Sequence, residues 1–150
     1  MTELPAWREG LRRRGLRLVA TNGCFDLLHR GHVASLEAAR ALGDSLLVGL
    51  NSDESVAALK GPGRPWTSEA DRVCILTALR AVDAVCVFPE TTAVRFLEQA
   101  RPDIYVKGGD YTLETMNQEE RRMVESQGGR VVLVAELAGR STSALLKRIA

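Results

Sequence analysis

The 150 residues read as a single doubly wound α/β domain, with a five-stranded parallel sheet and helices on both of its faces. Three observations support this reading. Five short apolar runs recur along the chain, and each is continuous rather than alternating, as befits strands buried on both faces. Segments with apolar residues at helical spacing stand between them. Polar turns rich in glycine and proline separate the two kinds of segment.

Residues 1–16 form an N-terminal helical extension with Leu4, Trp7 and Leu11 on one side. "LRLVAT" is the first strand. "HVASLEAARALG" is a helix with Val33, Leu36, Ala39 and Leu42 near helical spacing, stopped by Gly43. "DSLLVGLNSD" is the second strand and "DESVAALKG" a short helix with an acidic first turn; "GPGRPW" excludes regular structure. "SEADRVCILTALRA" starts a helix from Ser68 and turns Val73, Leu76 and Leu79 inward. "VDAVCVF" is the third strand, and "TAVRFLEQARP" is a helix ended by proline. "DIYVKGGDY" supplies the fourth strand and a glycine turn. "LETMNQEERRMVESQGG" is a helix, "RVVLVAEL" the fifth strand and "STSALLKRIA" the last helix.

Composition narrows the function. The chain is 45% hydrophobic and 26% charged with only five prolines, which is the profile of a globular domain without a disordered tract. Twenty basic side chains against nineteen acidic leave +1, so there is no global field for nucleic acid or an anionic membrane, and Arg12, Arg13 and Arg14 read as a solvated helix end. Cys24, Cys74 and Cys86 are an odd number at unrelated spacings, which points to a reduced, cytoplasmic setting. No stretch approaches the roughly 20 apolar residues that span a bilayer, so no membrane association is expected.

In open parallel α/β sheets, ligands bind beyond the carboxyl ends of the strands, where strand order reverses. Four stretches follow strand ends and should converge there: "TNGCFDLLHRGH", "LNSDESVAALKGPGR", "VKGGDY" and "LAGRSTS". The first holds both histidines of the chain. His29 falls just before a helix and His32 in its first turn, with Gly31 allowing close approach. Helix-start N–H groups with two imidazoles beside them suit an oxyanion. The ligand types Cys24, Asp26, His29 and His32 leave a zinc site open, although CxxC and HxxxH pairs are absent. "GRSTS" offers Ser141, Thr142 and Ser143 at a second helix start, more hydroxyls than a cap requires. Lys107 leaves a buried strand end and needs a ligand anion or a carboxylate to meet it. Lys60 and Arg64 are loop cations above the presumed cleft. Walker A, GxGxxG and GxSxG patterns are missing, which argues against P-loop NTPases, dinucleotide dehydrogenases and α/β-hydrolases.

"GCFDLLHRGH" resembles the signature of the HxGH nucleotidyltransferase superfamily, whose members have a Rossmann-like fold, and the resemblance runs from about Arg17 to Ile149. "VGLNSDESVAALKG", "VDAVCVF", "RPDIYVKGGDY" and "GRSTSALLKRI" bring the chain closest to the adenylyltransferase domains of ADP-heptose synthases. Related cytidylyltransferases carry "GDDW" where "GGDY" stands and "RTxGIST" where "ELAGRST" stands; the differences at Gly109 and Glu136 favour adenine. The resemblance implies transfer of AMP from ATP, bound with Mg²⁺, to a sugar 1-phosphate such as D-glycero-β-D-manno-heptose 1-phosphate.

By the same resemblance, His29, His32 and Lys60 are the catalytic residues. Asn22, Gly23, Cys24, Phe25, Gly31, Lys107, Gly108, Ser141, Thr142 and Ser143 hold the nucleotide, Asn51, Arg64, Arg72 and Asp110 lie on the acceptor side, and Asp26 organises the loop or the acceptor side. No protein-held metal is implied. A separate sugar kinase upstream and a homodimer are further expectations. The alternatives are a cytidylyltransferase acting on a polyol or amino-alcohol phosphate, and a nucleotide-binding module without turnover.

Overall fold

The computed structural model describes residues 1–135 and 142–149, the last segment with side chains from 146 onward. Strands β1 (Leu18–Gly23), β2 (Ser45–Asn51), β3 (Ala84–Phe88), β4 (Ile104–Gly108) and β5 (Arg130–Val134) form one all-parallel sheet in the order β3-β2-β1-β4-β5. The helices are α1 (Leu4–Arg13), α2 (Arg30–Arg40), α3 (Asp53–Lys60), α4 (Glu69–Thr77), α5 (Val94–Ala100), α6 (Gln118–Ser126) and α7 (Thr142–Ile149). The expected doubly wound, Rossmann-like α/β class is the one observed.

The chain runs outward from β1 through β2 to β3, then returns to add β4 and β5 on the other side. Strand order therefore reverses between β1 and β4, which opens a crevice at their carboxyl ends. Alternating residues of the buried strands feed two cores. Leu18, Ala20, Leu47 and Tyr105 join Leu4 and Leu11 of α1, Phe96, Leu97 and Ala100 of α5, and Val124 of α6. Val19, Leu46, Val48, Leu50, Ile104 and Val106 join Leu36 and Ala39 of α2 and Leu76 of α4.

The N-terminal helix is part of the first core rather than an appendage. Its Arg8 is buried, donating through Nε to Arg101 O at 2.9 Å and through Nη2 to Asp103 Oδ2 at 3.0 Å, while the same carboxylate oxygen accepts from Leu18 N. One arginine thus ties α1 to the starts of β1 and β4.

Among the boundaries that differ from the sequence reading, those of α2 and α6 have clear local causes. Helix α2 ends at Arg40, so Gly43 does not stop it; a Cβ on Gly43 would sit 2.7 Å from Val19 Cγ2 and 3.0 Å from Arg17 O, so close packing requires glycine there. Helix α6 starts at Gln118, because Asn117 Oδ1 accepts from Glu119 N and Glu120 N and caps it, while Thr112 and Thr115 fold the preceding residues into a turn.

Candidate active site

The two histidines build the start of α2. His29 is its N-cap residue: its Nδ1 accepts from Gly31 N at 3.0 Å, and His32, in the third helical position, accepts from His29 N through its own Nδ1 at 3.2 Å. This is the reciprocal geometry of a capping box, made with imidazoles. With Nδ1 acting as acceptor, the single N–H of each neutral ring lies on Nε2. The rings lie 4.0 Å apart between centroids. Burial, then the neighbouring His29 and Lys60, lower the His32 pKa to about 4, so His32 is neutral near pH 7. Gly31 is buried beneath the pair.

The loop feeding this helix is held in an unusual shape. Phe25 and Leu27 have φ of +46° and +53°, left-handed conformations that cost on the order of 1 kcal/mol each for non-glycine residues. Asp26 turns inward between them and is buried. Its carboxylate accepts from Trp66 N at 2.8 Å, Thr67 N at 3.1 Å and Arg64 Nε at 3.0 Å. Burial alone would raise the Asp26 pKa, but these three donors outweigh it and hold the pKa below the usual carboxylate range. Gly23 ends β1, where a Cβ would come within 3.0 Å of the Phe25 ring. The Cys24 thiol is pushed up by burial, against the pull of Lys60, Arg72 and Arg64, which leaves it protonated and unsuited to nucleophilic work.

Arg72 departs from its expected place on the acceptor side. It is 1% exposed, and its guanidinium donates to Thr67 O, Cys24 O and Asn51 O and pairs with Asp53 Oδ1 at 2.8 Å. Asn51 is also turned inward, donating to Ser55 Oγ at 2.8 Å. Both residues knit the ends of β1 and β2 to α3 and α4 instead of facing a ligand. Arg64 keeps a more open position, paired with Asp26 and lying over the Trp66 ring at 5.7 Å. Lys60, the exposed last residue of α3, is close enough to act electrostatically on both Cys24 and His32.

Across the crevice, the carboxylate that Lys107 requires is Glu120 of α6. Lys107 Nζ stands 3.3 Å from Glu120 Oε2 and 3.4 Å from Asn22 Oδ1. The Tyr105 hydroxyl bridges the same two side chains, at 2.5 Å from Asn22 Oδ1 and 3.0 Å from Glu120 Oε2, and burial first, then Glu120, pushes its pKa up. Gly108 ends β4, Gly109 has φ of +90° and Asp110 is exposed beyond it.

The structure thus gathers His29, His32, Lys60, Cys24, Phe25 and Asp26 with Asn22 and Lys107 around the β1/β4 crevice. Ser141 lies outside the described residues, as do the side chains of Thr142 and Ser143, whose backbone opens α7. Among the described residues, no group of three or more His, Cys, Asp or Glu stands together to hold a metal, and no helix is long and apolar enough to cross a membrane. Sequence reasoning missed Glu120 and Tyr105. Their only signal was the unmet need of Lys107 for a counter-charge.

The family model described as cytidylyltransferase-like matches residues 20–146. The chain is 55% identical over 138 residues to the bifunctional protein HldE of Syntrophotalea carbinolica, covering 92% of this chain and 28% of that protein. It is 51% identical over 146 residues to HldE of Mesorhizobium japonicum, covering 97% and 28% respectively. It therefore spans less than a third of the length of these relatives. Among solved structures, the lipopolysaccharide core biosynthesis protein from Thermoplasma volcanium is similar, with a TM-score of 0.65 and 27% identity over 82% of this chain and 98% of that one. Strand order, the imidazole-capped helix at the reversal point and a match spanning most of the sequence agree: the chain belongs to the cytidylyltransferase-like family and is a nucleotidyltransferase.

Proposed function

We propose that this domain transfers AMP from ATP to a sugar 1-phosphate, namely D-glycero-β-D-manno-heptose 1-phosphate, giving ADP-heptose and pyrophosphate. The observation that carries this reading is the pair of imidazoles of His29 and His32 at the start of α2, with Lys60 near them and Lys107 at the end of β4. The heptose assignment rests on the resemblance of the motifs and on the HldE relatives.

A phosphate monoester has its second pKa at about 6, so near pH 7 it is largely a dianion and attacks without a strong base. One of its oxygens bonds to the α-phosphorus, the bond from that phosphorus to the bridging oxygen breaks, and pyrophosphate leaves with the electron pair. The chain's part is to position the reactants and balance their charge. His29 and His32 donate to the phosphoryl oxygens, Lys60 offsets their charge, and Ser141, Thr142 and Ser143 take the β- and γ-phosphates. Gly23, Cys24, Phe25 and Gly108 border the nucleotide, and Arg64 faces the acceptor. The donor set is cationic and N–H rich, so the described residues do not fit a resident metal; Mg²⁺ enters as the ATP complex.

A panel of sugar 1-phosphates crossed with ATP and CTP, read by pyrophosphate release, tests the proposal. Turnover with ATP and the heptose phosphate is expected, and turnover with CTP alone would sink the adenylyl assignment. Cytidylyl transfer to a polyol or amino-alcohol phosphate is the second reading, favoured by the description of the matching family model. Against it stands Gly109, which leaves out the acidic side chain that the related cytidylyltransferases carry at this position. Nucleotide binding with no pyrophosphate release from any pair would instead mark a module without turnover.

A further inference from the structure

We propose that Glu120, which lies in none of the recognised motifs, is a positioning residue of this active site: it aims the Lys107 ammonium at the β1/β4 crevice. The inference rests on the reading of that crevice as the nucleotide site.

Glu120 occupies the third position of α6, behind the N-cap Asn117. That is the place from which a glutamate ordinarily turns back to cap its own helix. Here both carboxylate oxygens point inward instead. Oε1 accepts from Ala93 N at 2.9 Å, and Oε2 meets Tyr105 Oη at 3.0 Å and Lys107 Nζ at 3.3 Å. The residue is 4% exposed, and a charge buried to that degree is costly unless its partners are fixed. The backbone bond anchors it to the turn before α5, so the carboxylate is a rigid reference point.

Lys107 is correspondingly confined. Its ammonium lies between the Tyr105 and Tyr111 rings, 5.6 and 5.3 Å from their centroids, with Asn22 Oδ1 on the crevice side. A lysine stem is otherwise flexible, with several rotatable bonds to order when it binds. The Glu120 carboxylate sets that order in advance, so less is lost when an anionic nucleotide arrives. Glu120→Gln keeps the shape and the Ala93 contact, but an amide in place of the carboxylate removes the negative charge that faces Lys107.

The test is a double-mutant cycle on the full chain with Glu120→Gln, Lys107→Met and the pair, measuring single-turnover pyrophosphate release and the ATP·Mg²⁺ dissociation constant by calorimetry. Glu120→Gln is expected to slow the rate on the order of tenfold, the size seen when a supporting group behind a working side chain is removed. It should also weaken ATP binding about threefold, because the lysine stem must then be ordered when the nucleotide arrives. Both effects should vanish in the Lys107→Met background. Equal effects in both backgrounds, or none in either, would overturn the proposal, since a purely structural glutamate acts without Lys107. If the wild type binds ATP but releases no pyrophosphate, the proposed reaction falls and the calorimetric cycle alone decides the role of Glu120; if it binds neither ATP nor CTP, both fall. Should Lys107→Met not fold, Lys107→Gln takes its place in the cycle.

Discussion

His32 does two jobs with two nitrogens: Nδ1 closes the first turn of α2, and Nε2 is left as a donor. Glutamine at this position can also close a capping box. His32→Gln should therefore fold with nearly unchanged thermal stability while the chemical rate falls on the order of a hundredfold, the usual cost of losing an oxyanion donor; pyrophosphate release alongside thermal melts checks this. The depressed pKa adds a pH dependence. A histidine of about 6.5 in the unfolded chain and about 4 when folded gives the unfolded state more bound protons between those values, so stability is full above 6.5 and declines as pH falls toward 4. The decline should be shallower in His32→Gln. The proximity of the two histidines at a helix start was legible in "HRGH", but their capping role was not, because histidine is not among the usual capping residues. Glu120 was hidden for a different reason: within "NQEERR" it looks like one more charge on a solvated helix face.

Asp26 and Arg72 join the "CFD" loop to the segment from Arg64 to Thr67, and neither could be placed from pattern. Charged helix residues are mostly exposed, yet Arg72 of α4 is among the most buried side chains described. Asp26→Ala would strand the Trp66 and Thr67 amides and the Arg64 guanidinium, at a cost of about 3 kcal/mol. Urea denaturation should show that loss, and the emission of Trp66, which is already 59% exposed, should become more accessible to a soluble quencher. Unchanged quenching would mean that the loop is held elsewhere. The strands and helices themselves were legible because buried parallel strands are continuous apolar runs. Their limits were less so, since the Asn117 cap and the packing at Gly43 depend on neighbours distant in sequence.

The doubly wound sheet separates the Arg8 anchor from the candidate site by the length of the strands. The crevice lies at the carboxyl ends of β1 and β4, whereas Arg8 and Asp103 tie α1 to their beginnings. Arg8→Ala should lower unfolding free energy by about 2 kcal/mol through lost packing and charge-assisted hydrogen bonds. Turnover per folded molecule should stay as in the wild type, as urea melts and active-site-normalised rates would show; a large fall in turnover would couple the two ends. The succession of strands and helices pointed to a site beyond the carboxyl ends of the strands, but the anchoring by one buried arginine was not legible, because arginine is mostly a surface residue.

The two imidazoles also limit where protons can travel. Each ring already carries its one proton on Nε2 and offers Nδ1 to a backbone amide, so neither can take a proton from the acceptor without surrendering the start of α2. Bond exchange at phosphorus should then involve no proton in flight: a solvent deuterium isotope effect near unity, and an acid limb that follows ionisation of the sugar phosphate itself.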